Sequence, residues 1–270
     1  MKSTITMWKY TRMIVLTAIC AALYATGIAV LRLPPPISLV PLSQLFPVPL
    51  SLMFGPAGAW GIAFGATIGS LITGEFSINQ LFGFFGNFLL GALPFLLWTR
   101  LRPLADGNRS VRFSSARYWA LYAVVVIGTA FATAVVISWP MHMLGIVPFS
   151  FLVNLIGVQD ALVGMLTIMF LSLVYKRVES LGLLYWEVMD EVDLDRPQGS
   201  AGVVGAWLIT IVSVVAWILG GFVMPDDAAI IGGIATALIL LGVGLCSVKR
   251  SSQISSDSTV SLAKHSDHSI

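Results

Sequence analysis

The chain has 270 residues, of which 57% are hydrophobic and only 10% are charged, and its mean hydropathy is +0.91. Because soluble domains carry about 25% charged residues, this composition excludes an ordinary soluble protein and predicts an all-α protein that crosses a membrane several times. The net charge of +2 is too small to indicate a nucleic-acid partner.

Apolar stretches predict eight membrane spans, since a spanning helix needs about 20 mostly apolar residues. The predicted spans are residues 13–31, 37–54, 57–74, 80–98, 118–138, 149–175, 202–223 and 228–247. The second stretch contains Pro41, Pro47 and Pro49, which remove backbone donors and kink a helix. We therefore expect it to be either a kinked span or a re-entrant segment that is buried in protein.

The basic residues predict the orientation of these spans. With eight crossings, fourteen of the fifteen lysines and arginines fall on one side of the membrane, and only Arg32 falls on the other. Because cytoplasmic loops are enriched in Lys and Arg, we expect both termini to be cytoplasmic. The sequence thus predicts a multi-pass protein of the inner (plasma) membrane.

Four regions follow from this pattern. Residues 1–176 form a six-helix core, residues 202–248 a C-terminal transmembrane hairpin, and residues 249–270 a polar, disordered cytoplasmic tail. Residues 177–201 form a cytoplasmic segment with six acids. Its apolar side chains recur at helical spacing and are Leu181, Leu184, Tyr185 and Val188. This spacing is compatible with an amphipathic helix on the inner surface, and a solvated linker is equally compatible with the acidic composition.

A carboxylate interrupts the sixth predicted span. An ionisable group at this depth costs about 2.5–3.5 kcal/mol on insertion scales, so Asp160 indicates a function. At 1.5 Å per residue it lies about 15 Å below the outer boundary. It shares a helix face with Asn154, Gly157 and Gly164, and we expect the glycines to leave room beside the carboxylate.

Further polar and aromatic residues gather in the outer halves of the first six spans. With Asp160 and Asn154, the candidate substrate-binding residues are Asn87, Gln44, Gln80, Arg32 and Trp139. A few convergent polar groups among aromatic walls are typical of a ligand pocket, here one open to the outside. Each residue could instead be an interhelical contact worth about 0.6 kcal/mol.

Two spans carry small residues at every fourth position, a spacing that lets helix backbones approach closely in lipid. Gly61, Gly65 and Gly69 in the third span are expected to pack within the protein. The first span presents alanines that we expect to form a docking face for a partner. These residues are Ala18, Ala21, Ala22, Ala25 and Ala29.

Several catalytic and cofactor motifs are missing from the sequence. It has no G-x-x-x-x-G-K-[ST] loop for a nucleotide, no H-E-x-x-H and no G-x-S-x-G. Cys20 and Cys246 lie in apolar runs and form neither a metal-binding nor a disulfide pattern. The sequence therefore predicts a protein that is not an enzyme and holds no cofactor or metal.

An alanine-striped first helix, followed by "FPVPLSLMFGPAGAWGIAFGATIGSL" and "LFGFFGNFLLGALPFLLW", resembles the substrate-binding S components of energy-coupling factor (ECF) transporters. The resemblance covers residues 10–176. It implies a six-helix core with an outward-facing pocket for a vitamin or similar micronutrient, covered in part by the loop from Arg32 to Gln44. It also implies that the alanine face docks on a membrane coupling subunit driven by two cytoplasmic ATPases. The C-terminal hairpin and the acidic segment depart from the family.

These patterns predict the substrate-binding subunit of an uptake transporter for a vitamin-like solute. A non-transport membrane scaffold or assembly protein is the alternative, since it would account for the small-residue faces but not for the outer polar cluster. A membrane enzyme acting on lipid would need paired catalytic groups near one interface, and the sequence shows none.

Overall fold

The structure is a computed structural model that describes residues 2–30, 42–77, 79–105, 107, 111, 115–195 and 199–247. Helices account for 86% of these residues, and no strand occurs among them. The helices are α1 (Ser3–Thr6), α2 (Thr11–Val30), α3 (Pro47–Phe54), α4 (Pro56–Ile72), α5 (Asn79–Leu101), α6 (Ala116–Met143), α7 (Phe149–Ser180), α8 (Tyr185–Val188), α9 (Gly199–Ile218) and α10 (Ala228–Ser247).

Six helices in the described part of the chain are long and apolar enough to cross a membrane, namely α2, α5, α6, α7, α9 and α10. The chain is thus an all-α protein with the character of a multi-pass membrane protein, as the composition predicts. The second and third predicted spans are shorter. The eight residues of α3 and the 17 of α4 extend about 12 and 26 Å, against a hydrocarbon core of about 30 Å.

The proline-rich segment follows a kinked path. Its first described turn, Leu42–Leu45, lies against the C-terminal end of α2. A Cβ added to Gly27 of α2 would be 2.8 Å from Ser43 Cα. All eight residues of α3 are buried, and the chain reverses at Gly55, whose φ of +50° favours glycine. A Cβ at Gly55 would lie 2.8 Å from the ring of Tyr185, which follows α7.

A backbone N–H next to a helix-internal proline finds a hydrogen-bond acceptor on another helix. The N–H of Phe95, which follows the helix-internal Pro94, donates to Ser51 Oγ on α3 at 3.1 Å. The short helix therefore packs into the bundle and lends a side-chain acceptor to its neighbour. Buried irregular backbone of this kind is tolerated at membrane depth, whereas lipid-exposed irregular backbone is not.

Helices α2 and α4 form a closely packed pair. A Cβ at Gly65 would lie 2.7 Å from the carbonyl oxygen of Ala21, and a Cβ at Gly61 would overlap Cys20. The glycines of α4 thus pack internally, which confirms the expectation for this stripe. Because α2 packs mainly on α4, its opposite side is left at the edge of the bundle.

The C-terminal hairpin is an integral part of the bundle. Helices α9 and α10 pack on each other and on α6. A Cβ at Gly128 of α6 would lie 2.6 Å from Thr210 Oγ1 on α9. The Arg100 guanidinium, at the end of α5, donates to the carbonyl oxygen of Cys246. The hairpin therefore covers one side of the core, away from α2.

The part of the acidic segment between α7 and Asp195, residues 181–195, is folded, and we call it the strap. Neither an amphipathic helix nor a solvated linker describes it fully. Leu184, Tyr185 and Met189 are buried, whereas Leu181 is 57% exposed. Between Ser180 and Asp195, all of which the structure describes, α8 is the one helical turn. The strap is therefore anchored by apolar side chains over a longer stretch than the predicted helix face. The predicted tail, residues 249–270, lies outside the described residues.

Hydrogen bonds tie the N-terminus to this strap. The Lys2 ammonium lies 3.0 Å from the Asp193 carboxylate, and the Tyr10 hydroxyl donates to Asp193 at 3.0 Å. The bond from Lys2, and then that from Tyr10, lowers the pKa of Asp193 below its ordinary 3.8. The Lys2 backbone N–H donates to Asp195 at 3.0 Å. The acids of the strap thus neutralise and orient the N-terminal residues.

Candidate functional site

The Asp160 carboxylate is buried in the interior of α7. Its side chain is only 7% exposed, and it lies about 16 Å along the helix from Phe149. Neither carboxylate oxygen has a hydrogen-bond partner in the described part of the chain. A buried polar group left without a partner costs about 1–3 kcal/mol, and more when it is charged. This carboxylate is therefore a cost to the folded protein in the absence of a ligand.

The glycines around Asp160 serve helix packing. A Cβ at Gly157 would lie 2.6 Å from the ring of Phe131, and one at Gly164 would lie 2.7 Å from Val126. Both neighbours belong to α6, so α6 packs closely on α7 about one turn before and one turn after Asp160. The expectation that these glycines leave room beside Asp160 is wrong at these two positions, because close approach of α6 uses that room.

The same contacts set the register of α6 on α7. Gly157 lies near Phe131 and Gly164 lies near Val126, so Asp160 is level with Thr129 of α6, and Thr133 lies one turn further along, nearer to Asn154. Both threonine hydroxyls are buried and have no hydrogen-bond partner among the described residues. Unpartnered polar atoms of Asp160 and Thr129 thus occur at one depth of the bundle, where a polar ligand or water would satisfy them.

Tyr24 of α2 is the hydrogen-bond partner of Asn87, one of the predicted residues. Its hydroxyl donates to Asn87 Oδ1 on α5 at 2.9 Å, and Asn87 Nδ2 donates to the carbonyl oxygen of Gly83 at 2.8 Å. Tyr24 is only 2% exposed, so its hydroxyl bonds to Asn87 in the interior of the bundle. The structure therefore joins Tyr24 of α2 and Asn87 of α5 in one hydrogen-bonded pair.

Sequence reasoning missed Tyr24, although a signal was present. It lies about 20 Å along α2 from Thr11, and Asn87 lies about 21 Å along α5 from Leu101. These two helix ends are on the same side of the bundle, since Tyr10 and Thr99 both bond to residues of the strap region. A comparison of these two distances, measured from the same end of the bundle, would have predicted that the Tyr24 hydroxyl meets the Asn87 amide.

Asn154 and Trp139 face the C-terminal hairpin. Asn154 Oδ1 accepts from Trp217 Nε1 on α9 at 2.8 Å, and its Nδ2 donates to the carbonyl oxygen of Ser150 at 2.7 Å. Trp139 Nε1 donates to the carbonyl oxygen of Ala229 at 3.0 Å. Both candidate pocket residues thus have a polar group bonded to the C-terminal hairpin, Asn154 to α9 and Trp139 to α10.

The other candidate residues lie at the periphery or outside the described part. Gln80 Oε1 accepts from Ser70 Oγ at 2.9 Å, which links the start of α5 to the end of α4. Gln44 is half-buried in the turn Leu42–Leu45. Arg32 lies outside the described residues. Among the described positions, Asp160 is therefore the predicted residue whose polar atoms stay without a partner, whereas the polar groups of Asn87 and Asn154 are bonded to other residues.

The predicted alanine face is divided between two sides of α2. Ala21 and Ala25 are buried, at 6% and 4% exposure, and Ala21 lies against Gly61 and Gly65 of α4. Ala18 and Ala22 are exposed, and Ala29 is half-buried. A partner of α2 would thus meet Ala18 and Ala22 together with bulkier neighbours, because the glycines of α4 take up the other alanines.

The described residues include no group of three His, Cys, Asp or Glu side chains that could hold a metal ion. No family model matches the chain, and no curated protein or solved structure is similar to it. The resemblance to ECF S components is thus carried by the quoted residue patterns alone.

Proposed function

We propose that this chain is the substrate-binding subunit of an uptake transporter for a vitamin or similar micronutrient, and that Asp160 contacts the solute. The observation that carries the proposal is the buried Asp160 carboxylate, whose two oxygens have no partner in the described structure. Ionisable residues in membrane helices are rare because they are costly, and they mark pathways and ligand sites.

The chemistry around Asp160 favours a solute with hydrogen-bond donors or a positive charge. An ionised carboxylate only accepts hydrogen bonds, whereas the threonine hydroxyls of α6 can donate and accept. The Tyr24 hydroxyl donates its hydrogen bond to Asn87, so its oxygen can still accept one from another donor. A solute that carries an amine or several hydroxyls would satisfy these groups, and a cationic solute would also neutralise Asp160.

The path of the chain supports the proposed topology. The segment from Leu42 to Gly55 starts beside the far end of α2 and ends beside Tyr185, so it passes along most of the bundle. Counted as a kinked crossing, it gives eight passages with α4 included. We propose that both termini face the cytoplasm, as the lysines and arginines indicate, and that the membrane is the inner (plasma) membrane.

The proposed partner surface is the exposed side of α2. Ala18 and Ala22 lie there, with Ile14, Val15 and Ile19 exposed beside them. In this proposal a membrane coupling subunit docks on that side, and cytoplasmic ATPases supply the energy that this chain has no nucleotide loop to use. A scaffold or assembly protein would explain this surface too, but it would leave the Asp160 carboxylate unexplained.

Co-purified small molecules provide the test. The detergent-solubilised protein and an Asp160→Asn variant would be purified in parallel, and bound molecules and proteins identified by mass spectrometry. Asp226→Asn is the matched control, because Asp226 is exposed in the turn Pro225–Asp227. We expect a vitamin-like solute with the wild type and the control and much less with Asp160→Asn. The same solute at equal occupancy in all three would remove Asp160 from the site.

A further inference from the structure

A cavity of about 240 Å³ opens on the surface of the bundle, where α5 ends and α6 begins. Its lining residues are Leu101, Leu104, Ala105, Arg117, Ala120, Leu121, Val124 and Trp207. The lining residues at and just after the end of α5 are three and four positions apart, and those on α6 have the same spacing. Each of these two groups therefore forms one face. Trp207 of α9 closes the third side. The cavity is thus a groove between three elements, separate from the Asp160 cluster.

The groove has one charged group in an otherwise apolar lining. Arg117 is exposed in the first turn of α6, a turn that contains no acidic residue. Its side chain has no ion pair with the described residues. Leu104 and Trp207 remain 58% and 39% exposed. An apolar surface ending in a cation that has no ion pair with the described residues matches a molecule with a hydrocarbon chain and an anionic head.

The location fits a lipid better than a soluble ligand. The groove lies at the end of the bundle that the Lys and Arg distribution assigns to the cytoplasm, where the leaflet carries anionic lipids. The exposed Trp119, two positions from Arg117, and Trp207 are residue types enriched at the interface between membrane and water. The volume is below the roughly 300–1,000 Å³ of pockets that enclose a drug-sized solute.

We propose that this groove binds an anionic phospholipid. Its phosphate pairs with Arg117, and part of one acyl chain lies along Leu104, Leu121 and Trp207. Arginine suits this role because its planar guanidinium can bond two phosphate oxygens at once. The bound lipid would fill the gap between the core helices and the C-terminal hairpin. The site is independent of the transport proposal, since it uses none of the residues near Asp160.

Native mass spectrometry of the full-length protein would test the site, with dioleoyl-phosphatidylglycerol as the anionic probe and dioleoyl-phosphatidylcholine as the zwitterionic one. We expect Arg117→Gln to reduce bound phosphatidylglycerol about fivefold, as for loss of one partly exposed charge contact. Arg117→Lys should retain most of the binding. Arg12→Gln is the control, because Arg12 is an exposed arginine at the start of α2 and outside the groove.

A second variant tests the location of the acyl chain. Ala120→Trp would place a large ring in the groove without altering charge, and we expect it to reduce binding of both lipids. Circular dichroism and size-exclusion profiles would identify any variant that fails to fold. The proposal is overturned if Arg117→Gln binds phosphatidylglycerol as Arg12→Gln does, or if Ala120→Trp binds both lipids normally. Competition by free glycerol phosphate would likewise overturn it, by showing a site for soluble phosphates.

Discussion

Removing the charge of Asp160 should stabilise the ligand-free protein while it weakens solute binding. Asp160→Asn keeps the shape of the side chain, so the surrounding packing of α6 against α7 is preserved. The wild-type oxygens have no partner in the described structure, so the substitution breaks no hydrogen bond to a described residue. A residue kept for function at the expense of stability has this signature.

The magnitude follows from the burial of the carboxylate. An unpartnered buried polar group costs about 1–3 kcal/mol, and a charged one more than a neutral one. Replacing the carboxylate by an amide should therefore recover about 1–2 kcal/mol. For chains of 150–250 residues, 1 kcal/mol shifts the Tm by about 2–4 °C. We expect the Tm of the ligand-free protein to rise by about 2–8 °C. Leucine is less informative because its larger volume also overpacks the site.

The assay compares thermal unfolding of both proteins in one detergent, after mass spectrometry confirms that each is free of small molecules. Asp193→Asn is the matched control, since the same chemical change there removes an acceptor that Lys2 and Tyr10 use. We expect Asp193→Asn to lower the Tm. If Asp160→Asn lowers the Tm as well, the Asp160 carboxylate has a stabilising partner, and its role is structural.

Three further predictions concern other parts of the bundle. Trp217→Phe removes the hydrogen bond to Asn154 and should lower the free energy of unfolding by about 0.6 kcal/mol. Unchanged solute binding would show that Asn154 is not part of the site, and lost binding would show that it is. Ala18→Leu with Ala22→Leu should abolish co-purification of the coupling subunit but leave solute binding and the Tm unchanged; retained co-purification would place the docking surface elsewhere. Because the pKa of Asp193 is lowered, its stabilising effect should persist above about pH 4 and disappear as pH falls through that lowered pKa. Hydrogen exchange of the N-terminal residues should then accelerate, and Asp193→Asn should show fast exchange at every pH.

The sequence was sufficient for the class of the protein and for its most unusual residue. Apolar runs and a low charge content predict membrane helices because every backbone group must be bonded within the span. The cost of an ionisable group in hydrocarbon singled out Asp160 before any contact was known. The small-residue spacing also predicted that Gly61 and Gly65 would allow close approach of another helix. These inferences depend on local chemistry, which the sequence contains in full.

Only the tertiary structure decided which way each polar side chain faces and which residue it bonds. Helical periodicity placed Asn154 near Asp160 on a broad face, but α9 supplies Trp217 to bond it from another side. Tyr24 bonds to Asn87 because α4 holds α2 close enough for its hydroxyl to reach the amide. A helix in lipid has apolar surroundings on every side, so hydrophobicity does not show which face meets a neighbour. Packing of small residues and a few hydrogen bonds chooses that face, and both depend on residues far apart in the chain.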